Sequence, residues 1–188
     1  TIYQASRQGG RKNNQDRVAY SYSREALLMV VADGMGGHMH GEIAARIAVQ
    51  TLTDQFQKLA KPRLDDPMAF LADTTTRAHF AINDYAVEQD LLEIPHTTVV
   101  AAVVQDNTAY WAHVGDSRLY LFSDGSLLAR TEDHTAVAQL VRDGIISEEE
   151  AGHHPERNKV SNCLGGYMTP QVECSAPIPL HDADTMLL

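Results

Sequence analysis

Cysteine is almost missing from this chain: Cys163 and Cys174 are the only two in 188 residues. Their spacing fits no metal-binding pattern, and two thiols build no disulfide framework, so the composition fits a reducing, cytoplasmic setting. Long apolar runs are missing too. None approaches the roughly 20 residues that a membrane-spanning helix needs, and the opening residues lack the basic-then-apolar pattern of a secretory leader. Positive charge is scarce, with 15 Lys and Arg against 25 Asp and Glu and a formal net charge of -10. That leaves no electrostatic footprint for a nucleic-acid backbone. Internal repeats and low-complexity tracts are also lacking. What remains, 44% hydrophobic and 21% charged residues, describes one globular domain spanning residues 1–188, large enough to bury a real core.

Hydrophobic periodicity divides the chain into strands, helices and strands again. Strand-like segments cover 2–6, 17–22 and 27–32, with a hairpin turn at 23–26. A helix is expected over about 42–59, with Ile43, Ile47, Leu52 and Phe56 on its buried face. Asp66 and Pro67 give the next helix an N-cap and first turn. It is expected to run to about residue 92, with Phe70, Leu71, Phe80, Ile82 and Val87 as core contacts. The period then returns to two over 97–104, 108–114, 118–122 and 126–130, joined by turns at Asp106-Asn107 and Ser123-Asp124-Gly125. Helical pieces at 135–143 and 147–151 follow, the second with a Ser147/Glu150 capping box. Short strands close the chain at 172–175 and 185–188. Hairpin-linked central strands argue for an α+β fold with antiparallel sheets rather than a doubly wound parallel one.

The segment Leu27-Leu28-Met29-Val30-Val31-Ala32-Asp33-Gly34-Met35-Gly36-Gly37-His38 carries the strongest functional signal. An apolar strand delivers one carboxylate, Asp33, to its tip, and glycines follow that allow the backbone close to a ligand. Such a tip can hold a hard cation through a carboxylate and a main-chain carbonyl. Asp16, just ahead of the strand-like segment 17–22, supplies a second acid that could share a metal pair. An Asp-Gly step is also the commonest of turns, and by itself the pair means no more than that. His38-Met39-His40 suggests a zinc pair only superficially, because no further ligands follow at matching spacing.

Several motifs stand in one order: Gly10-Arg11-Lys12-Asn13-Asn14-Gln15-Asp16, Ala32 to His38, Thr97-Thr98, His113-Val114-Gly115-Asp116-Ser117-Arg118, Thr131-Glu132-Asp133-His134 and His154-Pro155-Glu156-Arg157-Asn158. Together they resemble the metal-dependent protein phosphatases, also called protein phosphatase type 2C, and their bacterial branch in particular. The resemblance implies an αββα sandwich of two antiparallel sheets flanked by helices. It implies two Mn²⁺ or Mg²⁺ ions, with a third, weaker site, and hydrolysis of phosphoserine and phosphothreonine in proteins by metal-activated water. The implied partners are phosphorylated proteins, among them a Ser/Thr kinase or its targets, met by a monomer.

Residue by residue, the resemblance makes Asp33 the carboxylate bridging both metals, Gly34 a carbonyl ligand and Asp16 a neighbouring acid of the cluster. It makes Arg11 the phosphate grip, a role suited to a permanently charged planar fork. Asp116 matches an acid of the third site, and a plain turn aspartate is the rival reading. Gln15 stands where the family often has Glu and is expected to support ligands rather than to ligate. Met35 stands where some eukaryotic relatives carry a histidine thought to act as general acid, and methionine transfers no proton. His134 can be read as a metal ligand, but capping the helix at Thr135 is the commoner use of such a residue. The family places two more metal aspartates beyond the strand that ends at Leu188. The expectation is therefore a longer phosphatase with its final strands missing here, and a fragment with negligible activity by itself. The rival function is a catalytically impaired, phosphatase-like module that binds phosphorylated partners.

Overall fold

The computed structural model describes residues 1–35 and 40–188; the glycine turn Gly36-Gly37-His38 and the discounted His38-Met39-His40 pair therefore lie wholly or partly outside the described residues. The larger sheet runs in the order β1 (Arg17–Tyr22), β2 (Ala26–Ala32), β3 (Val99–Gln105), β4 (Thr108–Val114), β7 (Glu173–Cys174), with β8 (Ile178–Pro179) also on β4. The smaller sheet runs β6 (Ser126–Arg130), β5 (Tyr120–Ser123), β9 (Thr185–Leu187). Every pairing is antiparallel. The α+β architecture with two antiparallel sheets is thus the observed one. Among the described residues no helix is long and apolar enough to cross a membrane.

Strand periodicity sorts the core into two layers. In β2, residues Ala26, Leu28, Val30 and Ala32 are buried toward the helices, while Met29 and Val31 face the second sheet. Adjacent β3 is buried on both faces: Val99, Ala101 and Val103 look one way, Val100 and Ala102 the other. That alternation is what a period of two produces when both faces are covered. Trp111, Leu119 and Leu121 fill the gap between the sheets.

The helical layer consists of α1 (Gly41–Leu59) and α2 (Pro67–Glu88). In α1 the fully buried residues are Ala44, Ala45, Ala48 and Leu52, with Phe56 beside them. Ile43 and Ile47, expected on that face, sit at its margin and are half-buried. Small side chains carry the contact because they let the helix lie close on the sheet. In α2 the expected core residues Phe70, Leu71 and Ile82 are buried, but Phe80 and Val87 are exposed. Thr74, Thr75, Ala78 and His79 take their place on the inner face, where steps of three and four keep them in line with Phe70 and Ile82. The helix stops at Glu88, not residue 92. Asp90 turns into the left-handed region at φ 50°, and the Leu91 N–H closes back on the Ala86 carbonyl at 2.9 Å, a C-terminal lock. Asp66 caps the other end through Met68 and Ala69 N–H, both at 3.0 Å.

Residues 2–6, expected as a strand, have no regular structure and are exposed. They find no ladder partner among the described residues, so an extended pattern earns no hydrogen bonds there. Both tight turns form as expected. Asp106 and Asn107 each lie at φ 52°, and Asp124 and Gly125 at 50° and 75°, the geometry that suits the twist of a two-residue hairpin. The Asp124 turn is thus structural. The short helices α3 (Ala136–Arg142) and α4 (Glu148–His153) pack on each other, α4 with its capping box complete.

Candidate metal centre

Register brings the candidate residues into one row at the end of the larger sheet. Arg17 pairs with Ala32, so Asp16 and Asp33 stand opposite each other one step beyond the ladder. Val31 pairs with Val100, which sets Thr98 against Asp33. Val99 pairs with Val114, which sets Gly115 against Thr98 and leaves Asp116 next in line. Residues separated by up to 100 positions meet because four antiparallel strands end at the same level.

The two threonines fix Asp33. Thr98 N–H donates to the Asp33 carbonyl at 3.0 Å, Thr97 Oγ1 donates to the same oxygen at 2.9 Å, and Asp33 N–H donates to Thr98 Oγ1 at 3.3 Å. Thr98 Oγ1 also lies 2.6 Å from Ser117 Oγ, tying the Asp33 tip to the Asp116 turn. In the sequence Thr97-Thr98 opens a strand and stands among the ordered motifs, with no role attached to its hydroxyls. Its real signal is a pair of hydroxyls in register with the acid. Gly34 is sterically obligatory: a Cβ there would lie 2.4 Å from the Gly41 carbonyl carbon and oxygen and 2.8 Å from the Gln15 oxygen. Gln15 takes Gly34 N–H on its carbonyl at 3.3 Å, and its side chain donates to Glu42 at 3.3 Å.

The electrostatics are those of crowded like charges. The Asp33 carboxyl is pushed up to about 6, first by burial, then by a hydrogen bond and charge from Asp16, then by Asp116, with Arg11 opposing. Burial also raises Asp116, and the charge of Asp133 adds to it. Arg11, Asp16 and Asp116 all act on Asp33, so the fold gathers these side chains at one place. Hard oxygen donors with surplus negative charge are the set that Mg²⁺ or Mn²⁺ selects, and a cation there would offset the repulsion among these carboxyls.

A second cluster includes His134, which the sequence offered as a ligand, with two partners that it did not. His113, His134 and Glu173 bring ligating atoms within 4.8 Å of one another, with His113 and Glu173 paired across β4 and β7. Their hydrogen bonds argue against a cation. His134 Nδ1 accepts from Gly115 N–H at 3.1 Å and from the Asn162 amide at 2.8 Å. Its proton therefore sits on Nε2, which donates to Glu173 at 3.2 Å. A protonated nitrogen cannot ligate. The trio is a clasp that holds the Gly115–Asp116 turn. His134 is accordingly not the helix cap expected from sequence. Thr135 is, accepting from Ala138 N–H at 3.1 Å. Asp133 pairs in a fork with Arg118 at 2.7 and 2.6 Å.

Residues 4–154 match the family model for protein phosphatase 2C. The chain belongs to the protein phosphatase 2C family. A putative protein phosphatase 2C-type of Streptococcus pyogenes is 36% identical over 156 residues, covering 82% of this chain and 63% of that protein. The chain thus spans just under two thirds of this curated relative. The crystal structure of the Mycobacterium tuberculosis serine/threonine phosphatase PstP/Ppp superposes with a TM-score of 0.80 at 32% identity, over 94% of this chain and 71% of that one. A catalytic domain of PstP in complex with two manganese ions superposes at 0.71 with 30% identity, over 94% and 70% of the two chains. This protein phosphatase 2C chain therefore shares its fold with a solved metal-bound relative.

Proposed function

We propose that the whole protein is a metal-dependent serine/threonine phosphatase acting on phosphorylated proteins, with its centre at the β1–β2–β4 strand ends. The observation that carries this reading is the register row: Asp16, Asp33 and Asp116 converge beside Arg11, although nothing local in the sequence holds them together. The relatives' phosphatase names, and the two manganese ions of one of them, favour turnover over a module that only binds.

In this reading the Asp33 carboxylate, the Gly34 carbonyl and the carboxylates of Asp16 and Asp116 would hold the cations. Bound there, Mn²⁺ or Mg²⁺ would supply an acidified water nucleophile and neutralise charge on the phosphoryl group. The chain's own residues do the rest. Arg11, in an exposed turn ahead of β1, spans two phosphoryl oxygens with its guanidinium and orients phosphorus. The Thr97 and Thr98 hydroxyls keep the Asp33 main chain from moving as charge shifts. Asp33 must lose its proton before a cation enters, so affinity rises as pH climbs through about 6. Among the described residues no hydroxyl is held in the base-and-orienter set that a covalent phosphoenzyme would need, which favours direct hydrolysis.

The test is release of phosphate from a phosphothreonine peptide by the whole protein, with and without Mn²⁺, beside Asp33→Asn. Turnover should require the metal and fall by orders of magnitude in the variant. Metal-independent turnover, or an unaffected variant, would refute the assignment.

A further inference from the structure

The inner face of α2 buries a histidine where a leucine would pack with no polar atom to satisfy. His79 is 2% exposed, and a buried polar ring is tolerated only where it finds partners. Its Nδ1 accepts from the Gly165 N–H at 3.1 Å, which places the ring proton on Nε2, 3.2 Å from the Asn83 amide nitrogen. Burial lowers the basicity of the ring, which keeps Nδ1 able to accept at neutral pH. One turn further along α2, the Asn83 amide donates to the Gly166 carbonyl at 2.9 Å. Two side chains of one helix thus grip both residues of a distant turn. That turn is built for glycine. Gly165 and Gly166 lie at φ 83° and 89°; a Cβ on the first would run into the Pro95 carbonyl oxygen, and one on the second would come 2.8 Å from His96 Nε2.

The grip reaches the candidate centre through the backbone. Leu164, fully buried just ahead of the turn, exchanges two bonds with Thr97. Thr97 N–H donates to the Leu164 carbonyl at 3.1 Å, and Leu164 N–H donates to the Thr97 carbonyl at 2.8 Å. On its other side Thr97 bridges to Gly34, and its hydroxyl holds the Asp33 carbonyl at 2.9 Å. Beside it the His96 carbonyl accepts from Met35 N–H at 3.0 Å. Asp33, Gly34 and Met35 are therefore backed by His96 and Thr97, and Thr97 by Leu164. Both bridges are isolated, outside the named strands, so no neighbouring rungs hold Leu164 in place. Its position depends on what anchors the chain on either side: Asn162 on His134 at 2.8 Å, and Gly165–Gly166 on α2.

We propose that His79 and Asn83 are positioning residues for the metal centre: from α2 they clamp the Gly165–Gly166 turn, which holds Leu164 against Thr97 and so keeps the Thr97 hydroxyl on the Asp33 carbonyl. The proposal rests on the metal-centre reading and deepens it. Neither side chain touches a carboxylate of the row in this account. Each acts through the main chain, as groups behind a ligand do when they fix its orientation.

The experiment compares the whole protein with His79→Leu, His79→Asn, Asn83→Ala and Leu71→Ala. Leucine keeps bulk and removes the acceptor, whereas the asparagine Oδ1 branches at Cγ as Nδ1 does and can take the Gly165 N–H. Leu71→Ala opens a cavity in the same helix, two turns before His79, and serves as the control for plain destabilisation. The readouts are amide hydrogen exchange of the metal-free protein and calorimetric Mn²⁺ titration. His79→Leu and Asn83→Ala should speed exchange at Leu164, Gly165 and Thr97 and weaken Mn²⁺ binding by roughly tenfold. His79→Asn should restore both. Leu71→Ala should melt lower yet bind Mn²⁺ as the wild type does. Faster exchange confined to Gly165 with Mn²⁺ affinity unchanged, no rescue by His79→Asn, or an equal Mn²⁺ loss in Leu71→Ala overturns the proposal. Should His79→Leu fail to fold, Asn83→Ala carries the same test. A wild type that binds no Mn²⁺ would sink the metal reading instead, and the metal-free exchange series would still decide whether the clamp reaches Thr97.

Discussion

Replacing Gly34 by alanine adds one carbon at the tightest point of the candidate centre. The new Cβ would sit 2.4 Å from both the carbonyl carbon and oxygen of Gly41 and 2.8 Å from the Gln15 oxygen. All three are main-chain atoms, belonging to the first residue of α1 and the residue before Asp16, so no side chain can swing aside. Gly34 does not lie at positive φ, and the cost is therefore steric rather than conformational. Overpacking a well-filled site typically costs about 1–3 kcal/mol, and contact with two backbone segments belongs at the upper end, about 3 kcal/mol. For a domain of this size that corresponds to a Tm lower by roughly 6–12 °C. The clash also pushes apart β2, α1 and the segment bearing Asp16, so the carboxylates separate and Mn²⁺ affinity should fall with stability. Gly152→Ala is the control: nothing lies within 4 Å of its Cβ position in α4, and helix propensity favours alanine by about 0.5–1 kcal/mol. Circular-dichroism melts and calorimetric Mn²⁺ titrations of both variants check the reasoning. A Gly34→Ala protein that melts within 2 °C of wild type (about 0.5–1 kcal/mol at this size) and binds Mn²⁺ equally would refute it.

Three further outcomes are expected. Without divalent cations, the raised Asp33 carboxyl takes up its proton more readily in the folded than in the unfolded chain. Wild-type stability should therefore fall, relative to Asp33→Asn, as pH rises from about 3.8 to about 6. Identical melting curves for the two proteins across that window would contradict the crowded-carboxylate account. Arg11→Ala should raise KM for a phosphopeptide and lower kcat/KM while leaving calorimetric Mn²⁺ affinity nearly unchanged; a large loss of metal binding would make Arg11 structural. Gln105→Leu should cost about 1–3 kcal/mol per stranded partner, because buried Gln105 binds both Leu64 N–H and Leu64 carbonyl at 2.9 Å. A melting temperature unchanged from wild type would show that those groups find water instead.

The sequence by itself determined the elements whose causes are local. The period of two over 17–22, 108–114 and 126–130 reproduces the observed strands residue for residue, and the Asp66 and Ser147 caps lie where their side chains predict. It also nominated Asp33 and Gly34, because an acid at a strand tip followed by glycine is a chemical statement that needs no neighbour, and Asp16 as a second acid ahead of a strand; Arg11 and Asp116 were named only through the resemblance to the phosphatase family. Tertiary structure decided the rest. Phe80 and Val87 look like core residues until the helix meets the sheet at one fixed rotation, which gives the inner face to alanines, threonines and His79. Residues 2–6 look extended but gain no ladder. His134 carries nothing in sequence to say that its two nitrogens are taken by Gly115, Asn162 and Glu173, since those contacts come from three separate parts of the chain. Arg118, Arg130, Arg142 and Arg157 are likewise 12 to 39 positions apart and line one cavity only once α3 and α4 have packed. Propensity and capping act within a few residues, whereas register, helix rotation and long-range polar pairing are settled only when the whole chain has packed.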